Sequence, residues 1–411
     1  MNNSRRLLFT FVCFAATLHD IVAVPLQTGH SGILRRHREA DLDPSVETET
    51  TASAVGEYLE LSALCVTQGN TRRCTWAMNS TDSAPANYPY LADSLYYGPP
   101  GIAVFLTQLA RGTNDLDEKS RWVSLAAAAL NHTIYKLPAL LASYGPNAGF
   151  YYGLMGISWG LRSASADLAD QPGYMNYINA ARVIEEHILS SVRPFASGKG
   201  LVLWNNTDVA HGAAGAGLAL LSAAREEGRT EHGQRLRQAA VNAADWLLSV
   251  AERDPRDGSL RWWRGPDTDG SHETDDFFST FCCGTAGVGY FLADMASDSE
   301  NSSSDRARYL DAAQMAGEHL KRHLVWQDKT NTRLLLPHSD GMDAEDAVYY
   351  LGWCGGPPGW ARLLYRLVQL DLANRDMWIR YMAGAVRALI VEFEGQHLSE
   401  TGGMAAPGGG G

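Results

Sequence analysis

Trp353-Cys354-Gly355-Gly356-Pro357-Pro358-Gly359 is the stretch whose reading decides the fold. It is the most elaborate copy of a pattern that recurs along the chain. The other copies are Tyr97-Gly98-Pro99-Pro100-Gly101, Tyr152-Gly153-Leu154-Met155-Gly156, His211-Gly212-Ala213-Ala214-Gly215 and Cys283-Gly284-Thr285-Ala286-Gly287. Each reads aromatic, His or Cys, then Gly-x-x-Gly, then an apolar run. The leading glycines stand at 98, 153, 212, 284 and 356, in steps of 55, 59, 72 and 72 residues. Self-similarity at such a period marks a repeat architecture, in which one supersecondary unit is copied and stacked.

Two kinds of helix alternate from about residue 90. One kind begins at each Gly-x-x-Gly, as in Gly101 to Leu106, Gly215 to Leu221 and Gly287 to Leu292, and is apolar nearly all round. Helices of that kind are buried on most faces. The other kind is longer and amphipathic: Gln234 to Glu252, Asp305 to Leu324 and Asn374 to Phe393. There Ala239, Ala243, Trp246 and Leu247 form a single apolar stripe at helical spacing. Alternation of β-branched residues is scarce, so no strand is predicted. A buried helix paired with an amphipathic one cannot cover its own apolar face, and neighbouring pairs must do so. The reading is all-α: an α/α toroid, a double ring of inner and outer helices, built from about six to seven helical hairpins with Gly-x-x-Gly turns.

The glycines read first as packing turns. The leading one is expected to permit a backbone angle that other residues avoid, and the second to let inner helices approach closely. Proline at the intervening positions suits a first helical turn. In a ring, the residues before the leading glycines all face one end: Tyr97, Tyr152, His211, Cys283 and, one place further upstream, Cys354. Thiolate and imidazole are the usual ligands of zinc. His211, Cys283 and Cys354 are therefore metal-capable as a group if the ring brings three copies within reach. A Cys283–Cys354 disulfide is the other use of those sulfurs in an oxidising lumen.

Composition narrows the surroundings. The 411 residues are 45% hydrophobic and 19% charged, with a net charge of −12, enough for one large repeat domain or two ordinary ones. The acidic balance argues against nucleic acid and against a constitutively anionic membrane surface. Arg5 and Arg6 precede the apolar stretch Leu7 to Leu18, with Ala23 available for cleavage, so residues 1–23 read as a signal peptide. Residues 24–55 are polar and read as a disordered or propeptide linker. A first helix is expected near Tyr58, Leu59, Leu61 and Leu64, opening a domain over residues 56–411. The sequons at Asn79, Asn131, Asn205 and Asn301 suit a secreted glycoprotein or a secretory-pathway lumen, as does a Cys65–Cys74 disulfide. Membrane association, peripheral and without a transmembrane segment, is the second expectation for its address. Oligomeric state is not written in the sequence.

The repeated Gly-x-x-Gly hairpins, the His211-Gly-Ala-Ala-Gly copy and Trp353-Cys354-x-Gly-x-Pro-Gly resemble the LanC-like family, the lanthionine synthetase cyclases and their eukaryotic relatives. The resemblance covers roughly residues 90 to 411. It implies an α/α toroid of about seven hairpins and a zinc ion held by two cysteines and one histidine. It also implies addition of a thiol, from a peptide or a small molecule such as glutathione, to dehydrated Ser or Thr. By that resemblance Cys354 matches a zinc-cysteine motif, with Cys283 as a second metal candidate. Cys283 stands where the resemblance implies an acid or base, and the His-Gly appears one repeat earlier, at His211; these two are the catalytic candidates. The family's Cys-His-Gly motif falls due near the C-terminus, where Ser399-Glu400-Thr401-Gly402-Gly403-Met404 stands, with His397 nearby. Against that resemblance the last hairpins of the ring are expected to be incomplete.

A different class of reading rests on eleven tryptophans, an acidic surface and a secretory address: a carbohydrate-active toroid. Glycosidases generally need two carboxylates, and Asp208, Asp275 and Asp276 are the acid candidates. A third reading is a binding protein that takes peptides or glycans without metal.

Overall fold

In the computed structural model of the chain, the residues described are 44–77, 92–171, 173–194, 201–202, 206–263, 277–327, 329–337, 340 and 348–401. Side chains of 44–51, 193–194, 201–202 and 392–401 are left aside. The signal segment 1–23, Asn79, Asn205, Asp275, Asp276, the glycine-rich tail and the side chain of His397 therefore lie outside the description.

Each Gly-x-x-Gly turns the chain into a short apolar helix, and a longer helix follows it back. The short helices are α2 (Pro99–Gly112), α4 (Leu154–Ser165), α6 (Ala213–Glu227), α8 (Thr285–Ser297) and α10 (Pro357–Leu370). Their partners are α3 (Leu116–Tyr144), α5 (Tyr174–Ser191), α7 (Glu231–Ser249), α9 (Ser303–His323) and α11 (Arg375–Thr401). With α1 (Pro44–Ser62) this makes eleven helices among the described residues. None of them is long and apolar enough to cross a membrane. The short helices start two residues before the second glycine, with the leading glycine as N-cap and Pro99-Pro100 or Pro357-Pro358 as the first turn. Proline lacks only an amide that would be unbonded there anyway.

The expectation for the leading glycines is corrected. Gly98, Gly153, Gly284 and Gly356 have φ of −113°, −136°, −149° and −98°, with ψ between −161° and −178°, an extended backbone open to any residue. What excludes a side chain is space. A Cβ on Gly101, Gly156, Gly287 or Gly359 would sit on the carbonyl oxygen six residues upstream, at Leu95, Phe150, Phe281 or Trp353. The incoming segment thus loops over the first helical turn at backbone contact. Close approach between helices falls to glycines further on: Gly160 meets Pro100, and Gly289 meets Ala316 and Leu363.

The chain divides into two units, Met1–Ser191 with Ser222–Leu236, and Val192–Leu221 with Arg237–Gly411. In the first, α2 packs on α3, α4 on α5, and α2 on α4. Residues 24–55 are not wholly a linker, since α1 reaches back to Pro44 and buries Val55, with Gly56 against Leu109 and Trp122. Leu64, expected in that helix, opens β1 (Leu64–Gln68), which pairs antiparallel with β2 (Thr71–Thr75). Cys65 and Cys74 face each other in that register and form a disulfide.

Arg162 on α4 is buried and carries a charge network of this unit. It bonds Glu185 on α5 at 2.6 and 2.9 Å and Glu227 at 2.7 Å. Glu227 also takes two bonds from Arg182, and His232 bonds Glu185 at 2.7 Å. The Arg182 hydrogen bond leads in holding the Glu227 carboxyl down, to about 2, with burial opposing and Arg162 adding to it. Burial alone would raise Glu185, but the Arg162 bond and charge outweigh it and leave the group below its ordinary value. A buried charge is tolerated only with such partners.

In the second unit α8 packs on α9, α10 on α11, and α8 on α10. The absence of strands predicted from the sequence is corrected in a small way. Two-residue ladders β3–β4 (Arg193–Pro194, Leu201–Val202), β5–β6 (Glu252–Arg253, Leu260–Arg261) and β7–β8 (Val325–Trp326, Leu334–Leu335) follow α5, α7 and α9. Two residues are too few for an alternating pattern to register. Trp122, Trp246, Trp262, Trp360 and Trp378 are among the largest fully buried side chains. Each such ring contributes on the order of 2–3 kcal/mol of burial and none presents a face to a sugar.

Candidate functional site

The turns before the short helices follow a common backbone rule, set by the residue two places before each leading glycine. The amide of Tyr96 donates to Tyr151 O at 3.2 Å in the first unit. In the second, the Ala210 amide donates to Cys282 O at 2.9 Å, and the Cys282 amide to Cys354 O at 3.1 Å. Phe281 N shares that last acceptor, also at 3.1 Å. Within each unit, successive turns are therefore bonded to one another, and the rule fixes which side chains become neighbours. Tyr96 and Tyr97 stack against Tyr152 with ring centroids 5.1 and 5.9 Å away. In the second unit the neighbours are cysteines.

Cys282 and Cys354 occupy the same register position, two residues before Gly284 and Gly356, and their sulfurs are joined as a disulfide. The Sγ of Cys283 lies 2.8 Å from that of Cys282. All three sulfurs lie within 4.8 Å of one another, with Cys282 buried and the other two half-buried. In the reduced form this is a three-thiol donor set. Its chemistry fits zinc, which takes thiolates readily and leaves a fourth position open where only three protein ligands are supplied. In the disulfide form Cys282 and Cys354 have no thiolates to give.

His211 stands on the adjoining turn, next to Ala210. Its Nδ1 lies 3.5 Å from Asp208 Oδ2, and its ring is part exposed while Asp208 is fully buried. Asp208 Oδ1 accepts from the amides of His211 and Gly212 at 2.6 and 3.1 Å. The carboxylate thus closes the turn and lies beside the imidazole. An acid so enclosed has no free face for a substrate, which removes Asp208 from the acid candidates.

Of the sequence-derived site residues, the structure brings Cys283 and Cys354 together and adds Cys282 rather than His211 to their cluster. The disulfide expected between Cys283 and Cys354 is formed by Cys282 instead. Sequence reasoning aligned the residue directly before each leading glycine and treated Cys354 as one place out of register. Counting two back from Gly284 and Gly356 would have found Cys282. The downstream Cys-His-Gly partners that the resemblance implied for Cys354 are not what meets it; Cys282, 72 residues upstream, and its neighbour Cys283 are.

An all-α chain of inner and outer hairpins joined through Gly-x-x-Gly turns belongs to the α/α toroid class. Among solved structures the chain is similar to nisin cyclase, with a TM-score of 0.52 and 15% sequence identity, over 96% of this chain and 82% of that one. No curated protein sequence matches it. The profile described as lanthionine synthetase C-like protein matches residues 89–388. The chain belongs to the lanthionine synthetase C-like family, and its fold is the family's α/α toroid.

Proposed function

We propose that this LanC-like protein adds thiols to dehydrated Ser or Thr residues of peptides, with Cys282, Cys283 and Cys354 as its thiol centre and His211 as its proton-transfer group. The convergence of the three sulfurs within 4.8 Å carries the reading. The family and the likeness to nisin cyclase support a peptide as substrate. Reduced, the three cysteines would hold zinc, which lowers the pKa of a bound substrate thiol and so keeps it as thiolate at neutral pH.

The chain's own contribution is positional. The backbone bonds between turns hold Cys282 and Cys354 side by side, and the same ladder sets His211 on the next turn. In the addition, the thiol loses its proton, sulfur bonds to the β-carbon of the dehydrated residue, and a proton ends on the α-carbon. In this reading His211, beside Asp208, takes the first proton and returns one to the α-carbon.

The test is direct. The reduced, zinc-supplied chain is incubated with a dehydroalanine peptide and either an internal cysteine or glutathione, and thioether is read by mass. Product formed by the native chain and not by Cys354→Ala supports the reading. A folded, zinc-loaded chain that makes no product with either thiol overturns it in favour of a peptide-binding role.

The address we propose is the secretory pathway. The Cys65–Cys74 disulfide supports it, since such bonds persist in oxidising compartments, and the thiol centre would work there only after reduction of the Cys282–Cys354 bond.

A further inference from the structure

A second cluster of metal-capable side chains lies in the second unit, away from the three cysteines in sequence. His319 and His323 are one helical turn apart in the last turns of α9, so both rings leave the same face, with centroids 4.7 Å apart. Asp254 reaches them from the β5–β6 hairpin. One donor atom each from Asp254, His319 and His323 lies within 4.8 Å of the others. The side chains of Asp254 and His319 are fully buried, and that of His323 is 10% exposed.

The protons decide what the cluster can hold. His319 Nε2 lies 2.8 Å from Asp340 Oδ2, and a carboxylate can only accept, so that nitrogen carries the hydrogen. The other nitrogen, Nδ1, then presents a lone pair. It faces Asp254 Oδ2 at 3.9 Å and Ser259 Oγ at 3.4 Å. The Ser259 hydroxyl proton is already given to Asp257 Oδ1 at 2.6 Å. A fully buried lone pair thus looks at two electron-rich oxygens, which calls for a cation between them. A carboxylate behind a ligating imidazole is also the usual arrangement that fixes its tautomer.

We propose that Asp254, His319 and His323 form a second zinc-type site, with Asp340 as the positioning residue behind His319. Two imidazoles and a carboxylate are a donor set suited to zinc. Arg256 is the incumbent cation at its outer side. It grips both oxygens of Asp254 and lies 3.4 Å from His323 Nε2, but its side chain is 45% exposed and can swing into water. Asp340 further accepts from the Ser279 hydroxyl and donates its amide to Phe277 O at 3.0 Å. The site therefore fastens the segment that leads into Cys282 and Cys283, so metal bound there braces the turn carrying the thiol centre.

The test uses the full chain with Cys282, Cys283 and Cys354 all changed to Ser, which separates this site from the first. After chelation and dialysis the protein is titrated with Zn(II) and, in parallel, Co(II). Expected are about one equivalent of zinc bound and the weak visible bands of Co(II) in a nitrogen and oxygen site without a thiolate charge-transfer band. His323→Gln, whose ring is the least enclosed of the two, should weaken zinc binding at least tenfold with unchanged circular dichroism. Arg256→Ala should tighten it. A folded triple-serine chain that takes up no zinc overturns the proposal and assigns the cation to a proton on His319. Retention of zinc by His323→Gln overturns it equally.

Discussion

The amide of Cys282 donates to the carbonyl of Cys354 at 3.1 Å, and the two residues hold the same place in successive turns. Their sulfurs meet because the backbones are bonded in register. Cys282→Ser and Cys354→Ser should therefore each lose about one zinc per chain under reducing conditions, relative to the native protein. Metal analysis after gel filtration measures it. Cys282→Ser retaining full zinc would remove Cys282 from the centre.

His211 is held by Asp208 on the turn next to that of Cys282. Replacement by Gln keeps the backbone bonds and removes the proton-transfer group. Thiol addition to a dehydroalanine peptide should slow by about 10²–10⁴-fold, with zinc content unchanged. Parallel loss of zinc would reassign His211 to the metal, and an unchanged rate would deny it any part in proton transfer.

Gly101, Gly156, Gly287 and Gly359, each the second glycine of its turn, have no room for a side chain. In Gly359→Ala the new Cβ collides with Trp353 O of its own turn and with Phe281 of the neighbouring turn. A destabilisation of about 3 kcal/mol is expected, read from the denaturation midpoint. Gly112→Ala, exposed at the end of α2 with nothing near its Cβ, should instead gain up to about 1 kcal/mol.

Glu227 gives the fold a dependence on acid. Its carboxyl titrates near 4.5 when unfolded and near 2 when held by Arg182 and Arg162. Because the folded value is the lower, the stabilisation is complete above about pH 4.5 and is lost as pH falls towards 2. Its size is on the order of 2 kcal/mol. Glu227→Gln should flatten the stability profile across that window while lowering stability at pH 7. Identical slopes for the two chains would refute the assignment.

Glycan occupancy should be unequal if the chain passes through the secretory pathway. The amide nitrogen of Asn131 donates to Arg72 O at 3.1 Å, and that of Asn301 to Met295 O at 2.8 Å. A sugar on either nitrogen would displace a bond that holds the fold. Peptide mapping of secreted protein should find glycan at Asn79 or Asn205 and none at Asn131 or Asn301.

The repeat, the two helix types and the place of each turn are legible in the chain itself. Gly-x-x-Gly and helical periodicity are local signals, and the helices at 99–112 and 357–370 begin where those turns put them. The three two-residue strand pairs were not legible, since two residues carry no pattern, and neither was the reason for the glycines. Only the folded chain shows that they clear a carbonyl six residues back rather than supply an unusual angle.

What the sequence by itself determined is a ring-forming repeat of helical hairpins and the presence of Cys354 and Cys283 in its turns. What the tertiary structure decided is their company. Cys282 joins Cys354 across 72 residues, and Asp254 meets His319 and His323 from a separate hairpin. Periodicity reports the side of a helix that is buried, whereas register between turns is set by hydrogen bonds that exist only once the hairpins have packed.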